Sequence, residues 1–249
     1  MFNNTGFRFA GESITGLVRV HNEDSFLICA PAGRKTALAV VADGVGGHRH
    51  GEIASYISCR ELGNAFMQSS DEMLMQEQGP ENFLLETVTH FNHRIFNMNY
   101  EELAVHPMSS TLTAVLFMKD AAVMAHVGDS RFYAIRNGRI EQISTDHTLA
   151  NERGDNAGNS GGRTFASNVI SRSIGTRYNL KLEIRKLHLT GDERFFMCSD
   201  GVYRDISDER LTEILKNAPD PESTVNQIMR SVLLEGAHDN TTVISVFPC

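Results

Sequence analysis

Hydrophobic and polar positions change period along this chain, and the period predicts where strands and helices lie. A continuous apolar run over residues 37–42 predicts a strand that is buried on both faces. The run ends abruptly in Asp43 and a glycine-rich turn. Phe7 and Phe9, near the N-terminus, predict an edge strand.

Two long helices are predicted after this strand. Residues 51–69 are apolar around most of a helical circumference, which predicts a buried helix, and residues 69–79 form a polar loop. Residues 80–103 predict an amphipathic helix. Its apolar positions recur at helical spacing and are Leu84, Val88, Phe91 and Ile95.

The pattern then becomes that of antiparallel strands. Residues 111–118 and 121–127 are separated by only two residues, which is a hairpin spacing. Asn137-Gly138 between two further apolar runs is the strongest short hairpin signal. Hairpins in series exclude a Rossmann-like parallel sheet.

The C-terminal third contains both the two-residue hydrophobic pattern of strands and the helical pattern. Leu180, Leu182 and Ile184 alternate, and Leu187 and Leu189 continue one residue out of phase, which predicts a bulge. Residues 194–199 and 241–247 predict strands. Residues 211–215 predict a short helix and residues 225–232 a longer one.

Composition is that of an ordinary globular protein and argues against some classes of binding partner. The 249 residues are 41% hydrophobic and 22% charged, enough for a sizeable core. A formal charge of −8 argues against nucleic-acid binding, which needs clustered Lys and Arg. Four scattered cysteines without a CxxC pair predict free thiols. Without a signal peptide or an apolar stretch of about 18 residues, we expect a cytoplasmic protein that makes no membrane contact.

Carboxylates recur where predicted strands begin or end. These positions are Glu23 or Asp24, Asp43, Asp129, Asp200 and Asp239. Hard divalent cations such as Mg²⁺ or Mn²⁺ prefer oxygen ligands, and two ions about 3.5–4 Å apart make a bridging water more nucleophilic. For any one of these stretches the plain alternative is an Asp-Gly turn.

Arg19 adds a cation beside these acids. If residues 19–23 are extended, Arg19, His21 and Glu23 share one face, which would place a guanidinium next to a carboxylate. A guanidinium can clamp a phosphate through two hydrogen bonds. The alternative is a surface salt bridge on a strand.

At this point the chain resembles the metal-dependent PPM/PP2C protein serine/threonine phosphatases, in their compact bacterial form. The matching motifs occur in the family's order and span nearly the whole chain. They are residues 18–25 (VRVHNEDS), 42–48 (ADGVGGH), 51–55 (GEIAS), 127–131 (VGDSR), 146–147 (DH), 170–175, 198–201 (CSDG) and 239–243 (DNTTV).

The resemblance implies a role for each site residue. Asp43 would bridge two metal ions, and Asp200 and Asp239 would complete one metal site. The Gly44 carbonyl and Glu23, the latter through water, would serve the other. Asp129 with Asp200 matches the third, weaker metal site of bacterial members. Arg19 matches the phosphate-binding arginine.

The implied fold is α+β, an α-β-β-α sandwich in which two antiparallel sheets are flanked by helices. We expect a single phosphatase domain over residues 1–249, with a flap at about residues 149–168 beside the active site. Two departures from the family pattern stand out. Val45 replaces a histidine proposed as general acid in some eukaryotic members, and residues 109–111 (SST) replace a Gly-Thr-Thr-like strand start, which we expect to matter only structurally.

The predicted function is hydrolysis of phosphoserine and phosphothreonine in proteins, with Mn²⁺ or Mg²⁺ as cofactor, in signalling that opposes a serine/threonine kinase. A metal-bridging hydroxide would attack phosphorus, and metal-bound water is favoured over His48 as the acid. We expect a monomer. Two alternatives stay open: a partner-switching phosphatase for one small anti-anti-sigma-like protein, and a pseudophosphatase that binds phosphoproteins without turnover.

Overall fold

The computed structural model describes residues 6–45, 50–101, 107–153 and 169–249. Its strands are β1 Phe7–Ile14, β2 Asp24–Cys29, β3 Thr36–Asp43, β4 Leu112–Met118, β5 Ala121–Val127, β6 Arg131–Arg136, β7 Arg139–Gln142, β8 Glu183–His188, β9 Arg194–Cys198 and β10 Thr241–Pro248. Its helices are α1 Gly51–Gln68, α2 Asp71–Leu74, α3 Gly79–Glu101, α4 Leu149–Arg153, α5 Asp200–Asp205, α6 Asp208–Asn217 and α7 Pro221–Leu234.

The strands form two antiparallel five-stranded sheets, in the orders β1-β10-β9-β6-β7 and β2-β3-β4-β5-β8. β1 lies at the edge of the first sheet, as predicted. The predicted hairpin turn between β6 and β7 is confirmed, because Asn137 and Gly138 both have positive φ, as a type I′ turn requires. The predicted α+β class and α-β-β-α sandwich are confirmed.

Successive residues of β3 show why residues 37–42 of this strand are all apolar. Leu38 and Val40 belong to the core between the second sheet and helices α1 and α3. Ala39 and Val41 belong to the core between the two sheets. A third core lies between the first sheet and helices α5, α6 and α7. The strand is therefore buried on both faces, and it carries Asp43 out of the core at its end.

Three local predictions were wrong: the bulge after residue 184, the loop at residues 69–79 and the burial of α1 around most of its circumference. Leu180, Leu182 and Ile184 pack towards the helices, whereas Leu187 and Leu189 pack between the sheets. The change of phase therefore reflects burial on both faces, and the pairing of β5 with β8 is regular without a bulge. The predicted loop at residues 69–79 contains α2.

Helix α1 is buried on one face and not around its circumference. Tyr56 and Met67 are more than half exposed. The four cysteines are free, as predicted. Among the helices in the described ranges, none has the combination of length and apolarity that crossing a membrane needs.

Candidate active site

A cleft of about 360 Å³ opens where β2, β3, β9 and β10 begin or end. Gly44, Val45, Val169, Ile170 and Asn240 form part of its wall. Its charged lining residues are the carboxylates Glu23, Asp43, Asp200 and Asp239 and the arginines Arg19 and Arg204. Four of the sequence-predicted acids, separated by up to 216 positions in the sequence, thus meet in one cavity.

Asp43 is held at the end of β3 by the start of β4. Its backbone N–H donates to Thr111 Oγ1 at 3.0 Å, and its carbonyl accepts from the Thr111 N–H at 2.8 Å. The same carbonyl accepts from Ser110 Oγ at 3.0 Å. Thr111 Oγ1 is also bonded to Ser130 Oγ at 2.7 Å. These bonds support the prediction that residues 109–111 act structurally, because they fix the backbone that aims Asp43.

Gly44 allows three backbones to pass close together beside the carboxylates. Its N–H donates to the Glu23 carbonyl at 3.1 Å. A Cβ at Gly44 would lie 2.5 Å from the Gly51 carbonyl carbon and 2.7 Å from Glu23 O. Ser55 Oγ also donates to Glu23 O, at 2.6 Å. The glycine therefore brings the N-terminus of α1 and the Glu23 backbone against the end of β3.

Glu23 and Asp24, which the sequence leaves as alternatives, point to different places. Glu23 lines the cleft, and burial, with the Glu52 charge, raises its pKa. Asp24 is buried away from the cleft, where its Oδ2 accepts from Ser199 Oγ at 2.7 Å. Burial raises the pKa of Asp24 to about 7. Glu23 is therefore the acid that can serve the site.

Arg19 contacts a different acid from the one predicted. Residues 15–23 form bends and not a strand, so the condition under which Arg19, His21 and Glu23 would share one strand face is not met. The Arg19 Nη2 atom instead donates to Asp239 Oδ2 at 2.8 Å. This hydrogen bond raises the pKa of Arg19. The arginine side chain is half exposed, at the rim of the cleft.

Asn240 holds residues 15–23, called here the Arg19 segment, against the site. Its Oδ1 accepts from the Glu23 N–H at 2.9 Å, and its Nδ2 donates to the carbonyls of Thr15 and His21, both at 2.9 Å. This single amide fixes both ends of the segment, because its three bonds reach residues on either side of Arg19. The sequence motif contained Asn240 but did not reveal this role.

Arg204 is the charged residue of the cleft that the sequence analysis missed. It lies on α5 four residues after Asp200, and its Nη2 is 2.6 Å from Asp200 Oδ2. The helix itself was not predicted. An acid followed by a base at the i,i+4 spacing, directly after a strand, was the signal that could have found the pair.

Asp129 is buried beneath the cleft beside Asp200. Only 2% of the residue is exposed, and its Oδ1 makes no hydrogen bond among the described residues. Burial and the Asp200 charge raise the pKa of Asp129 to about 7. The Tyr203 hydroxyl donates to the Asp129 carbonyl at 2.9 Å. Asp146, in the adjacent motif, instead binds Arg131 through two oxygens.

The oxygen groups of the cleft fit divalent cations. Burial and the neighbouring charges of Asp24 and Asp200 raise the pKa of Asp43 well above its usual range. Burial also raises the pKa of Asp200, whose carboxyl lies within hydrogen-bonding reach of Asp43. Crowded, buried carboxylates repel one another unless cations separate them. Carboxylate and carbonyl oxygens are the ligands that Mg²⁺ and Mn²⁺ prefer.

A tighter group of potential ligands lies elsewhere, at His126, His147 and Glu183. In the part of the chain that the structure describes, it is the one set of three His, Cys, Asp or Glu residues whose ligand atoms all lie within 4.8 Å. Its histidines already have partners. His126 contacts Thr113 Oγ1 and the Thr145 carbonyl, and His147 Nδ1 accepts from the Gly128 N–H.

Burial lowers the pKa of His126 to about 4, and burial with the His126 charge lowers that of His147 to about 3. Because their ring nitrogens already hydrogen-bond to protein groups, we assign the pair a structural role. His48 and most of the predicted flap lie outside the described residues, although Val169 and Ile170, which follow the flap, line the cleft.

The sequence matches a known family over most of its length. Residues 18–237 match the family described as Protein phosphatase 2C. The serine/threonine phosphatase stp of Listeria monocytogenes is 27% identical over 234 residues, which cover 93% of this chain and 92% of that protein. The serine/threonine protein phosphatase PstP of Mycobacterium tuberculosis is 30% identical over 244 residues, 95% of this chain and 44% of that protein.

Solved structures of bacterial phosphatases share the fold. Serine/threonine phosphatase Stp1 from Staphylococcus aureus superposes with a TM-score of 0.88 at 27% identity, over 99% of this chain and 97% of that one. PppA, described as a key regulatory component of T6SS in Pseudomonas aeruginosa, gives a TM-score of 0.83 at 30% identity, over 98% of each chain.

Proposed function

The chain belongs to the protein phosphatase 2C family and is a metal-dependent serine/threonine protein phosphatase, and we propose that its acidic cleft is the catalytic centre. The observation that carries the proposal is the meeting of Asp43, Asp200 and Asp239 from three separate strand ends in one cavity with Arg19 at its rim. A binding module would gain nothing from four crowded carboxylates.

Two Mn²⁺ or Mg²⁺ ions are the proposed cofactors. Asp43 would hold both ions, Asp200 and Asp239 would complete one site, and the Gly44 carbonyl and Glu23 would serve the other. All five residues line the same cleft, which supports this assignment. A third ion at Asp129 and Asp200, which the resemblance implies, would have to displace the Arg204 guanidinium.

When bound, the ions supply Lewis-acid charge that activates a water for attack on phosphorus and offsets the charge of the phosphoryl oxygens. The protein's own contribution is to place a phosphate beside them. Arg19 is half exposed and has a fork of donors, so it can leave Asp239 partly and bind an incoming phosphate. No histidine lines the described part of the cleft, which favours a water as the acid for the leaving group.

The substrates are phosphoproteins. We propose phosphoserine and phosphothreonine sites made by a serine/threonine kinase that this enzyme opposes in a signalling circuit, and the likeness to PppA supports a role in regulating secretion. We propose that residues 1–249 form one domain, with a flap at about residues 149–168, and that the protein is a monomer. Both α1 and the Arg19 segment present exposed surface next to the cleft for a protein substrate.

The test is phosphate release from a phosphothreonine peptide with Mn²⁺, with EDTA, and with the Asp200→Asn variant. We expect EDTA to abolish turnover and Mn²⁺ to restore it. Asp200→Asn should lower the rate by at least about 100-fold, because the ions supply several kcal/mol of transition-state stabilisation. Asp192→Asn, an exposed acid in the β8–β9 turn, is the matched control and should keep wild-type rates.

Undiminished turnover in EDTA would contradict the metal site. Tight phosphopeptide binding without any turnover would favour the pseudophosphatase. Activity on one small phosphoprotein and none on phosphopeptides would favour the partner-switching alternative.

A further inference from the structure

Arg204 lies among three carboxylates on the inner side of the cleft. Its Nη2 is 2.6 Å from Asp200 Oδ2 and 3.8 Å from Asp129 Oδ2, and its Nη1 is 3.7 Å from Asp239 Oδ2. The side chain is 31% exposed, compared with 50% for Arg19. Arg204 therefore faces the acids more than it faces the solvent.

The position of the guanidinium conflicts with a cation between Asp129 and Asp200. A divalent ion binds carboxylate oxygens at about 2.0–2.2 Å and would sit where Arg204 now approaches both acids. The guanidinium cannot lose its proton, so its charge is permanent and would repel such an ion. Burial disfavours the charge of Arg204, but the neighbouring groups, Asp200 foremost and Asp129 and Asp239 with it, together outweigh burial and raise the arginine pKa.

Helix geometry fixes this arrangement. Asp200 is the first residue of α5 and Arg204 lies one turn later, so the two side chains lie on the same face of the helix. Tyr203, the residue before Arg204, donates to the Asp129 carbonyl at 2.9 Å and packs under the Arg131 guanidinium. The helix is thereby anchored against the segment that carries Asp129.

We propose that Arg204 is a built-in cation that takes the place of a third divalent ion between Asp129 and Asp200. It acts as a positioning residue, because it holds Asp200 Oδ2 and leaves the other carboxylate oxygen for a catalytic ion. This inference rests on the proposed function for the two other ions. On this view, the positive charge on the inner side of the cleft comes from the Arg204 guanidinium and not from a bound ion.

The experiment counts Mn²⁺ bound per protein by equilibrium dialysis and metal analysis. The wild type should bind about two ions. Arg204→Gln keeps a donor for Asp200 but removes the charge, and it should bind about three. Arg204→Lys restores a charge and should return to about two. Adding Asp129→Asn to Arg204→Gln should remove the extra ion, since one of its ligands is lost.

Arg210→Gln is the matched control, because Arg210 pairs with Glu213 on the surface of α6. It should bind the same number of ions as the wild type. A wild type that binds about three ions and loses one in Asp129→Asn would overturn the inference, and this comparison does not depend on the folding of any Arg204 variant. An unchanged count in a folded Arg204→Gln protein would also overturn it.

Two further outcomes separate this inference from the alternatives. If the wild type binds no Mn²⁺, the proposed metal centre itself fails. If Arg204→Gln keeps the wild-type ion count but raises KM for phosphopeptide at least tenfold, Arg204 is a second phosphate ligand and not a substitute for an ion.

Discussion

Arg19 joins the rim of the cleft to Asp239 through a hydrogen bond, and this arrangement suits the proposed function, in which one residue serves both the resting site and the substrate. Its Nη2 contacts Asp239 Oδ2 at 2.8 Å while half of the side chain stays exposed. A phosphate that enters the cleft meets a donor already held in place. A guanidinium has five N–H donors, and in the proposed function those of Arg19 form two parallel bonds to the phosphate oxygens.

We predict that Arg19→Ala mainly raises KM for a phosphothreonine peptide. The expected loss in kcat/KM is about 2–4 kcal/mol, because the substitution leaves the bound phosphate without its guanidinium partner. Steady-state kinetics at saturating Mn²⁺ measure it. Arg139→Ala, at an exposed arginine of the β6–β7 hairpin, should leave both constants unchanged. Wild-type kinetics in Arg19→Ala would make Arg19 a surface residue.

His126 is a buried neutral group whose effect on stability depends on pH. Its pKa lies near 4 because burial disfavours the charged ring. Below the ordinary pKa of about 6.5, His126 binds a proton in the unfolded chain but stays neutral in the folded protein. The free energy of unfolding therefore falls as the pH is lowered from about 6.5 towards 4. We predict that His126→Asn removes up to about 1.4 kcal/mol per pH unit from this slope.

Urea unfolding at several pH values, with EDTA throughout, measures this slope. Asp24 and Asp129 have pKa values near 7, so they bind protons more readily in the folded state than in the unfolded chain. These two acids therefore raise the free energy of unfolding as the pH falls, which is opposite to the effect of the histidine. Both proteins contain these acids, so their effects cancel in the difference between variant and wild type, which reports His126 together with its influence on the pKa of His147. His90→Asn, an exposed histidine, is the control. Parallel curves for wild type and His126→Asn would contradict the prediction.

At the scale of elements, the site depends on how closely the end of β3, the start of β2 and the start of α1 approach one another. Gly44 and Gly51 lie at this junction. The Cβ that any other residue would add at Gly51 would lie 2.9 Å from Glu23 Oε2. The glycines of the motif therefore set the distance between Asp43 and Glu23, in addition to allowing a turn.

We predict that Gly44→Ala lowers both Tm and Mn²⁺ affinity. The added Cβ would lie 2.5–2.7 Å from backbone atoms of Gly51 and Glu23, and these atoms belong to ordered elements that cannot shift without separating the ligands. Thermal unfolding and Mn²⁺ titration measure the two effects. The contradicting result is an unchanged Mn²⁺ affinity in the folded variant.

Gly63→Ala provides the matched control for this substitution. Gly63 lies in the middle of α1, and a Cβ there would meet only the end of the flexible Leu27 side chain, at 2.9 Å. Alanine also favours a helix by up to about 1 kcal/mol over glycine. We expect Gly63→Ala to keep Mn²⁺ affinity and to have a Tm no lower than that of wild type.

At the scale of the whole molecule, metal binding should be linked to stability. The two sheets bring carboxylates from β2, β3, β9 and β10 to one place, and their repulsion acts on the contact between the sheets. A ligand at 100 times its Kd adds about 2.7 kcal/mol to the stability of the folded state. We predict that saturating Mn²⁺ raises Tm by roughly 5–10 °C over EDTA.

Differential scanning fluorimetry in Mn²⁺ and in EDTA gives this shift. Asp200→Asn should show a smaller shift because it loses one ligand. The same Tm in Mn²⁺ and EDTA, with wild-type protein at saturating metal, would contradict linkage between the site and the fold.

Local patterns in the sequence determined much of this molecule. The apolar run of β3, the helical spacing of α3 and the Asn137-Gly138 turn depend on neighbouring residues, and the structure confirms all three. The ordered motifs identified the family, and Asp43, Asp200 and Asp239 meet in the cleft as their strand-end positions suggested. Strand ends at one edge of a sandwich lie close together, so the sequence could predict that the acids at these ends share one site.

The tertiary structure alone decided how these residues are paired. Arg19 contacts Asp239, 220 positions away, and not its neighbour Glu23. The choice between Glu23 and Asp24 followed from the orientation of β2. The pair of Asp200 and Arg204 has a local i,i+4 spacing, but only the packing of α5 brings Arg204 to 3.8 Å from Asp129. Periodicity shows which residues are buried, but contacts between distant segments depend on the packing of the two sheets, which no local pattern encodes.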